Sequence, residues 1–211
     1  MLFAFQIALG LLAISALFFT AYLLLLTLMS AALPPPAASS RRLKFAVIVP
    51  AHNEERNISE TVDSLKQLDW PAEAFRLYVV ADNCTDKTSE HAVNAGAQVL
   101  VRHDAAQRGK GYALAYAFEY VLTDGWADAV VVVDADTVVS SNLLEAYAAR
   151  LEQGEQAVQA HYGVRNPFAS WRTRLVTVAK GAFHIVRSRA RERLGVSSGI
   201  RGNGWCVTTG L

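Results

Sequence analysis

Charge is missing from the first forty residues: no Asp, Glu, Lys or Arg precedes Arg41. Cysteine is scarce. Cys84 and Cys206 stand alone, without metal-site spacing, and in a reducing compartment they are free thiols. Net charge is nearly absent too, at +1 over 211 residues, which gives no case for a general nucleic-acid binder. Glycine is missing where two nucleotide-binding motifs need it. A P-loop requires G-x-x-x-x-G-K-[ST], and around Lys110 the first position is Asp104 and the last is Gly111. A dinucleotide fingerprint requires G-x-G-x-x-G after the first strand. That turn here is Pro50-Ala-His-Asn-Glu-Glu, and Gly202-Asn-Gly204 meets Val207 where the third glycine belongs.

What fills the uncharged region is apolar. Leu2 to Leu33 is broken only by Gln6, Ser15, Thr20, Thr27 and Ser30. A helix needs roughly 20 such residues to cross a bilayer core, so residues 1–33 read as a transmembrane helix. A cleaved signal peptide would want a positive start and a shorter apolar run. Pro34-Pro35-Pro36 ends the helix, and 34–43 reads as a linker, basic at Arg41 and Arg42 with Lys44 following. Basic flanks prefer the cytoplasm, which puts the N-terminus outside and residues 44–211 on the cytoplasmic face of the plasma membrane.

Residues 44–211 alternate between two periods. Lys44–Val49, Phe75–Ala81, Ala97–Val101, Val130–Val133 and Gln156–Tyr162 read as strands. Between them, Ile58, Val62, Leu65 and Leu68 recur at helical spacing, with Asn53 as an N-cap. Further helices are expected over 85–95, stopped by Gly96, from Arg108-Gly-Lys-Gly111 onward, and from Asn142 to Gln153. The alternation predicts an α/β fold with helices on both faces of a parallel sheet. Beyond Gly199-Ile-Arg-Gly-Asn-Gly-Trp205 the sequence runs to Gly210-Leu211 with no obvious terminal element.

Ala129-Val-Val-Val-Val-Asp-Ala-Asp-Thr137 organises this half of the chain. The valines suit a strand buried on both faces. In an extended segment, residues i and i+2 point to the same side, so Asp134 and Asp136 can aim at one point beyond the strand's carboxyl end. Ligands of open α/β sheets bind at that edge. Paired carboxylates there suit a divalent cation carrying phosphate, although a plain polar turn has the same letters. Residues 170–194 are helical in pattern and basic: from Arg172 to Arg201 there are eight Lys or Arg against one acid, Glu192. Either a solvated helix face or a segment lying on anionic lipid fits that charge.

Four stretches in order carry a resemblance: Val47-Ile-Val-Pro-Ala-His-Asn-Glu-Glu55, Val79-Val-Ala-Asp-Asn-Cys-Thr-Asp86, Arg108-Gly-Lys-Gly111 and Val131-Val-Val-Asp-Ala-Asp136. Together they resemble the family 2 glycosyltransferases, in particular membrane-anchored bacterial relatives of cellulose, chitin and poly-N-acetylglucosamine synthases. The resemblance implies a GT-A fold, a nucleotide-diphosphate sugar donor (a UDP-sugar above all), Mg2+ or Mn2+, inversion at the anomeric carbon, and a glycan or lipid-linked acceptor beside membrane lipids. It implies that Pro50, Ala51, His52 and Glu54 lie along the nucleoside, that Asp82 accepts from the base, and that Lys110 lies near the donor phosphates. Asp134 and Asp136 would be the metal pair, with Asp134 also beside the ribose. Arg201, Gly202, Asn203 and Gly204 resemble the glycine-rich segment near the donor sugar and acceptor. The family's catalytic base follows that segment in an acidic motif, yet Cys206 to Leu211 contains no acid. The resemblance therefore implies the N-terminal part of a longer enzyme. A degenerate, non-catalytic nucleotide-sugar-binding membrane protein is the alternative.

Overall fold

A computed structural model describes residues 2–32 and 34–211 of the protein. Met1 and Leu33, the ends of the expected 1–33 helix, lie outside the described residues. The chain divides into two compact units, Met1–Pro35 with His161–Gly199 and Pro36–Ala160 with Ile200–Leu211.

The first unit is helical. Helix α1 spans Leu2–Leu28 and is long and apolar enough to cross a membrane, with a mean hydropathy of 2.4. The numbered helices α2 to α5 belong to the second unit. In the first unit α6 (Trp171–Lys180), a π-turn (Gly181–Val186) and α7 (Arg187–Arg193) follow without a break. Ser170 starts α6 with a capping box: its Oγ accepts from the Thr173 N–H, and the Ser170 N–H donates to Thr173 Oγ1.

The second unit is built on a six-stranded sheet in the order β3-β2-β1-β4-β6-β5. Its strands are β1 (Phe45–Ala51), β2 (Phe75–Asp82), β3 (Gln98–Arg102), β4 (Ala129–Val132), β5 (Ala157–Gln159) and β6 (Trp205–Thr208). The first four are parallel to one another, and β6 runs antiparallel between β4 and β5. Strand alternation sends side chains to two cores. On one face Phe45, Val47 and Val49 meet Ile58, Val62 and Leu65 of α2 (Ile58–Lys66) and Leu144 and Tyr147 of α5 (Leu143–Leu151). On the other, Ala46, Ile48, Val130 and Val132 meet Ala113, Ala117 and Val121 of α4 (Lys110–Asp124). Helix α3 (Thr88–Ala95) adds Ala92 to the first face and ends at Gly96, whose φ of +96° an L-residue rarely adopts. All four residues of β4 are buried because both faces are covered. A fully buried aliphatic side chain contributes about 1.5–3 kcal/mol, and truncating Ile58 to Ala would cost about 2–5 kcal/mol.

The mostly parallel sheet with helices on both faces is the expected fold. Three local expectations are corrected. Asn57, not Asn53, occupies the N-cap of α2, because the Asn53 side chain is committed elsewhere: its Oδ1 accepts from the Thr85 N–H at 2.8 Å. A terminal element does follow Gly204, namely β6. It was hidden because four residues carry no period of their own, and their strand state comes from pairing with β4 and β5. Finally, β4 ends at Val132 and Asp134–Thr137 form a turn closed by the Thr137 N–H on the Asp134 carbonyl at 3.1 Å. The i, i+2 rule of extended chain therefore does not govern Asp134 and Asp136. The former is half-buried and the latter exposed.

The expected linker is tied down within the second unit. The Ser39 N–H and Oγ donate to Glu145, and the Ser40 N–H and Oγ donate to Glu152. Those bonds hold the Glu152 carboxyl below its usual range.

Candidate active site

The carboxyl edge of β1, β2 and β4 gathers the candidate residues. Proline is tolerated at Pro50 because β1 pairs with β4 only as far as Ile48, so its missing N–H leaves no orphan on that side. Each loop that follows β1 and β2 turns on an asparagine at positive φ, Asn53 at +57° and Asn83 at +51°. Asparagine enters this region more readily than most residues because its side chain bonds locally. Asn83 does so twice, its Nδ2 donating to Asp82 Oδ1 at 3.1 Å and its Oδ1 accepting from the Asp104 N–H at 2.8 Å.

Asp82 ends β2 opposite Arg102, the last residue of β3. Arg102 Nη1 donates to Asp82 Oδ1 at 2.7 Å, with side chains 10% and 5% exposed. The same guanidinium holds the Gln107 carbonyl at 2.8 Å and Asp104 at 3.2 Å, and lies 5.8 Å from the Tyr112 ring centroid. One arginine thus fixes the carboxylate and the loop that leads into α4. His52 is bound to the same strand end, its Nδ1 2.7 Å from the Asp82 carbonyl. A carbonyl only accepts, so Nδ1 carries the proton there.

These groups border a cavity of about 380 Å³. Pro50, Ala51, His52, Asp82 and Asn83 form one side, and Arg108, Gly109, Lys110 and Ala113 form the other. The second side is the start of α4. Its first turn has no acid, its cap position is Gly109 at φ +115°, and two cations flank it. Unpaired N–H groups at a helix start carry partial positive charge, so this wall favours an anion.

Lys110 Nζ donates to the Asp134 carboxylate and to the Gly202 carbonyl. It thereby links the cavity wall to the turn after β4. The antiparallel insertion of β6 explains why Gly202 is there. Trp205 pairs with Val132, so the residues before Trp205 leave the sheet at β4's carboxyl end. Asn203 Oδ1 accepts from the Asp134 N–H at 2.9 Å, and its Nδ2 donates to Thr137 Oγ1 at 2.9 Å. Gln159 holds the segment from β5: its Nε2 donates to the Asn203 and Gly204 carbonyls, and its Oε1 accepts from the Arg201 N–H at 2.6 Å.

The structure thus brings Pro50, Ala51, His52, Asp82 and Lys110 to one cavity, Asp134 and Gly202 to Lys110, and Asn203 to Asp134. Glu54 is not in the cavity lining. Its N–H donates to Thr88 Oγ1 and its carboxylate accepts from Asn57 Nδ2. Sequence reasoning missed Arg102, Asn83, Arg108 and Gln159. A basic residue at a strand's end was a signal for Arg102, but only the β2–β3 register assigns its partner. Asp86 serves the loop itself. Partial burial works to raise its carboxyl, but bonds from Thr88 Oγ1 and from the Thr88 and Glu55 N–H groups outweigh it and hold it below the usual range.

Among the described residues no three His, Cys, Asp or Glu gather to enclose a metal. A pair of carboxylate-bearing residues in one turn is still a fitting donor set for Mg2+ or Mn2+. Such ions are commonly held by one or two carboxylates, with phosphate and water completing the shell. The ammonium on Asp134 marks a spot that already favours positive charge.

The family model described as Glycosyl transferase family 2 matches residues 46–201. The chain is 30% identical over 169 residues to a beta-monoglucosyldiacylglycerol synthase of Nostoc sp., covering 77% of this chain and 35% of that protein. It is 33% identical over 120 residues to glycosyltransferase AglD of Haloferax volcanii, covering 54% of this chain and 18% of that one. Among solved structures, the mannosyltransferase PcManGT from Pyrobaculum calidifontis, in complex with GDP-Man and Mn2+, superposes with a TM-score of 0.65 at 20% identity. That match covers 93% of this chain and 55% of the other. The glucosyl-3-phosphoglycerate synthase of Mycobacterium tuberculosis gives 0.53 at 23% identity, covering 80% and 58%. At such identities these two show the fold. The chain spans about a third of the Nostoc relative and a smaller share of AglD. With a family model matched over most of its length, the chain belongs to glycosyl transferase family 2.

Proposed function

We infer that the protein is a membrane-anchored, metal-dependent, inverting glycosyltransferase that takes a sugar from a nucleotide-diphosphate donor, a UDP-sugar, to a glycan or lipid-linked acceptor. The observation that carries this reading is the joining of two unlike surfaces in one cavity. A buried carboxylate, Asp82, faces a helix start flanked by Arg108 and Lys110. A nucleoside with a base N–H needs the first surface, and a diphosphate needs the second. The relative named beta-monoglucosyldiacylglycerol synthase supports including a lipid among the acceptors. Helix α1 supports an anchor, and Arg41, Arg42 and Lys44 support a cytoplasmic face for the residues after it.

In this reading Asp82 accepts from the base while Arg102 holds its carboxylate in place. His52 borders the nucleoside, with Nε2 left for a donor. Lys110 and the α4 N–H groups hold the diphosphate. Asn203 and Gln159 fix the backbone of 201–204 beside the donor sugar. Asp134 and Asp136 are the residues that would hold the divalent cation, which when bound offsets charge on the departing diphosphate. The acceptor's hydroxyl oxygen bonds to the anomeric carbon from the side opposite the phosphate, the bond from that carbon to the phosphate oxygen breaks, and the hydroxyl proton passes to a general base to which no residue is assigned.

Titration calorimetry of the chain with UDP, with and without Mn2+, tests the donor assignment. Metal-dependent binding is expected. A chain that folds but binds UDP equally weakly with and without metal would sink it.

A further inference from the structure

Helix α6 exposes the wrong residues for a helix in water. Trp171, Leu175 and Val178 follow one another at intervals of four and three, and so share one face. All three are exposed, Trp171 at 68% and Val178 at 70%. Phe168, just before the helix, is exposed as well. Arg172 and Arg174 flank this stripe, and the basic excess continues through α7. An apolar stripe bordered by cations is the signature of a helix lying at a lipid–water boundary.

The same unit says where that boundary is. Helix α7 packs on the end of α1. Ala190 and Leu26 are buried there, Arg191 Nη1 donates to Tyr22 OH at 3.4 Å, and Arg193 Nη2 donates to the Ala31 carbonyl at 3.3 Å. Roughly 20 residues of α1 suffice for the hydrocarbon core. The charged Arg191 and Arg193, held at Tyr22 and Ala31, put the headgroup level at this end of α1. Helix α7 is pinned at that level, and α6 is continuous with it.

We propose that α6 is an interfacial helix, with Trp171, Leu175 and Val178 seated in the acyl–headgroup boundary and Arg172 and Arg174 on anionic headgroups. The occupant of this face is an anionic lipid bilayer. Charge complementarity and continuity with the apolar span both select it. The proposal rests on the reading of α1 as a membrane span and goes beyond it, since the span alone requires nothing of α6. It holds the chain by two contacts, one apolar and one electrostatic, at the surface where a lipid acceptor would be met.

The whole chain reconstituted in vesicles tests it. Phosphatidylcholine vesicles with and without phosphatidylglycerol are prepared with brominated acyl chains, and tryptophan quenching is compared between wild type and Trp171→Phe. The difference isolates Trp171 from Trp70, Trp126 and Trp205. A Trp171 component that is quenched, more strongly with phosphatidylglycerol, supports the proposal. Arg172→Glu with Arg174→Glu is then expected to lower that component by at least about twofold in anionic vesicles. Vesicle-bound protein with no quenched Trp171 component overturns the interfacial helix and leaves the anchor intact. So does a concentration-dependent dimer cross-linked through Leu175→Cys, which would assign the stripe to a second copy. Protein that fails to float with vesicles at all overturns the anchor, and the interfacial helix with it.

Discussion

Arg102 and Asp82 form an ion pair at 2.7 Å at the ends of two neighbouring strands, with both side chains nearly sealed from solvent. Carboxylates so placed are costly alone and useful in pairs. The guanidinium offsets the desolvation of Asp82, and its remaining donors tie down the loop before α4. Breaking such a pair from one side costs about 3–5 kcal/mol. Arg102→Met is therefore expected to destabilise the fold by about 3 kcal/mol and to weaken UDP binding, with partial recovery in Arg102→Lys. Urea unfolding followed by fluorescence measures the first effect, and calorimetry the second. An unchanged midpoint in Arg102→Met would show that the pair is not sealed in solution.

Lys110 holds Asp134 where a metal would compete for the same carboxylate. Removing the ammonium should thus act in opposite directions on the two ligands. Lys110→Ala is expected to bind Mn2+ more tightly in the absence of nucleotide, and to bind UDP about tenfold more weakly for the loss of one charge-assisted bond. Manganese paramagnetic resonance and calorimetry separate the two. Parallel losses of both would remove the competition.

Asp136 is exposed and Asp86 half-buried, and the proposed function gives them different work. Asp136→Ala is expected to abolish metal-dependent UDP binding. Asp86→Ala should keep it, and instead lower stability by about 1 kcal/mol through lost loop hydrogen bonds. The sign of its pH dependence follows from the lowered folded pKa of Asp86. Its contribution is present above the ordinary aspartate value of about 3.9 and disappears as pH falls through the lower folded value. The stability gap between wild type and Asp86→Ala should close only in that acid range. Equal losses of metal binding in both variants would mean that the carboxylates are wrongly chosen.

Tyr147 is buried in the core under β6, and its hydroxyl has no hydrogen-bond partner among the described residues. An unpaired buried hydroxyl is a cost, and burial also raises its pKa. Tyr147→Phe is expected to be neutral or to stabilise by about 1 kcal/mol, read by thermal unfolding. A loss of more than that would reveal a water or ligand bonded to the hydroxyl.

Both cysteines are free, and burial raises both thiols, most at Cys206 on β6. A high thiol pKa leaves little thiolate near neutrality. Native protein is expected to react slowly with Ellman's reagent at Cys84 and not measurably at Cys206, both becoming reactive in guanidinium. Fast native labelling at two sites would show that β6 opens.

Much of the site was legible because its letters sit at predictable places on predictable strands. Asp82, Lys110 and Asp134 each follow an apolar run or open a helix, and local period alone locates such points. Their partners were not legible. Arg102 faces Asp82 only through the β2–β3 register, and Asn203 reaches Asp134 only because Val131 pairs with Cys206. Glu54 was named from its motif, whereas its carboxylate is held by Asn57.

The sequence by itself determined the apolar span, the strand–helix alternation, the buried valine strand and the short set of polar residues at strand ends. These follow from neighbours along the chain, whose spacing and side-chain chemistry need no folding to read. Only the tertiary structure decided that Trp205–Thr208 is a strand, that it runs antiparallel beside β4, and that Lys110, Asp134 and Gly202 therefore meet. Four residues have too little local preference to choose a state. Hydrogen bonds to strands far away in sequence choose it for them.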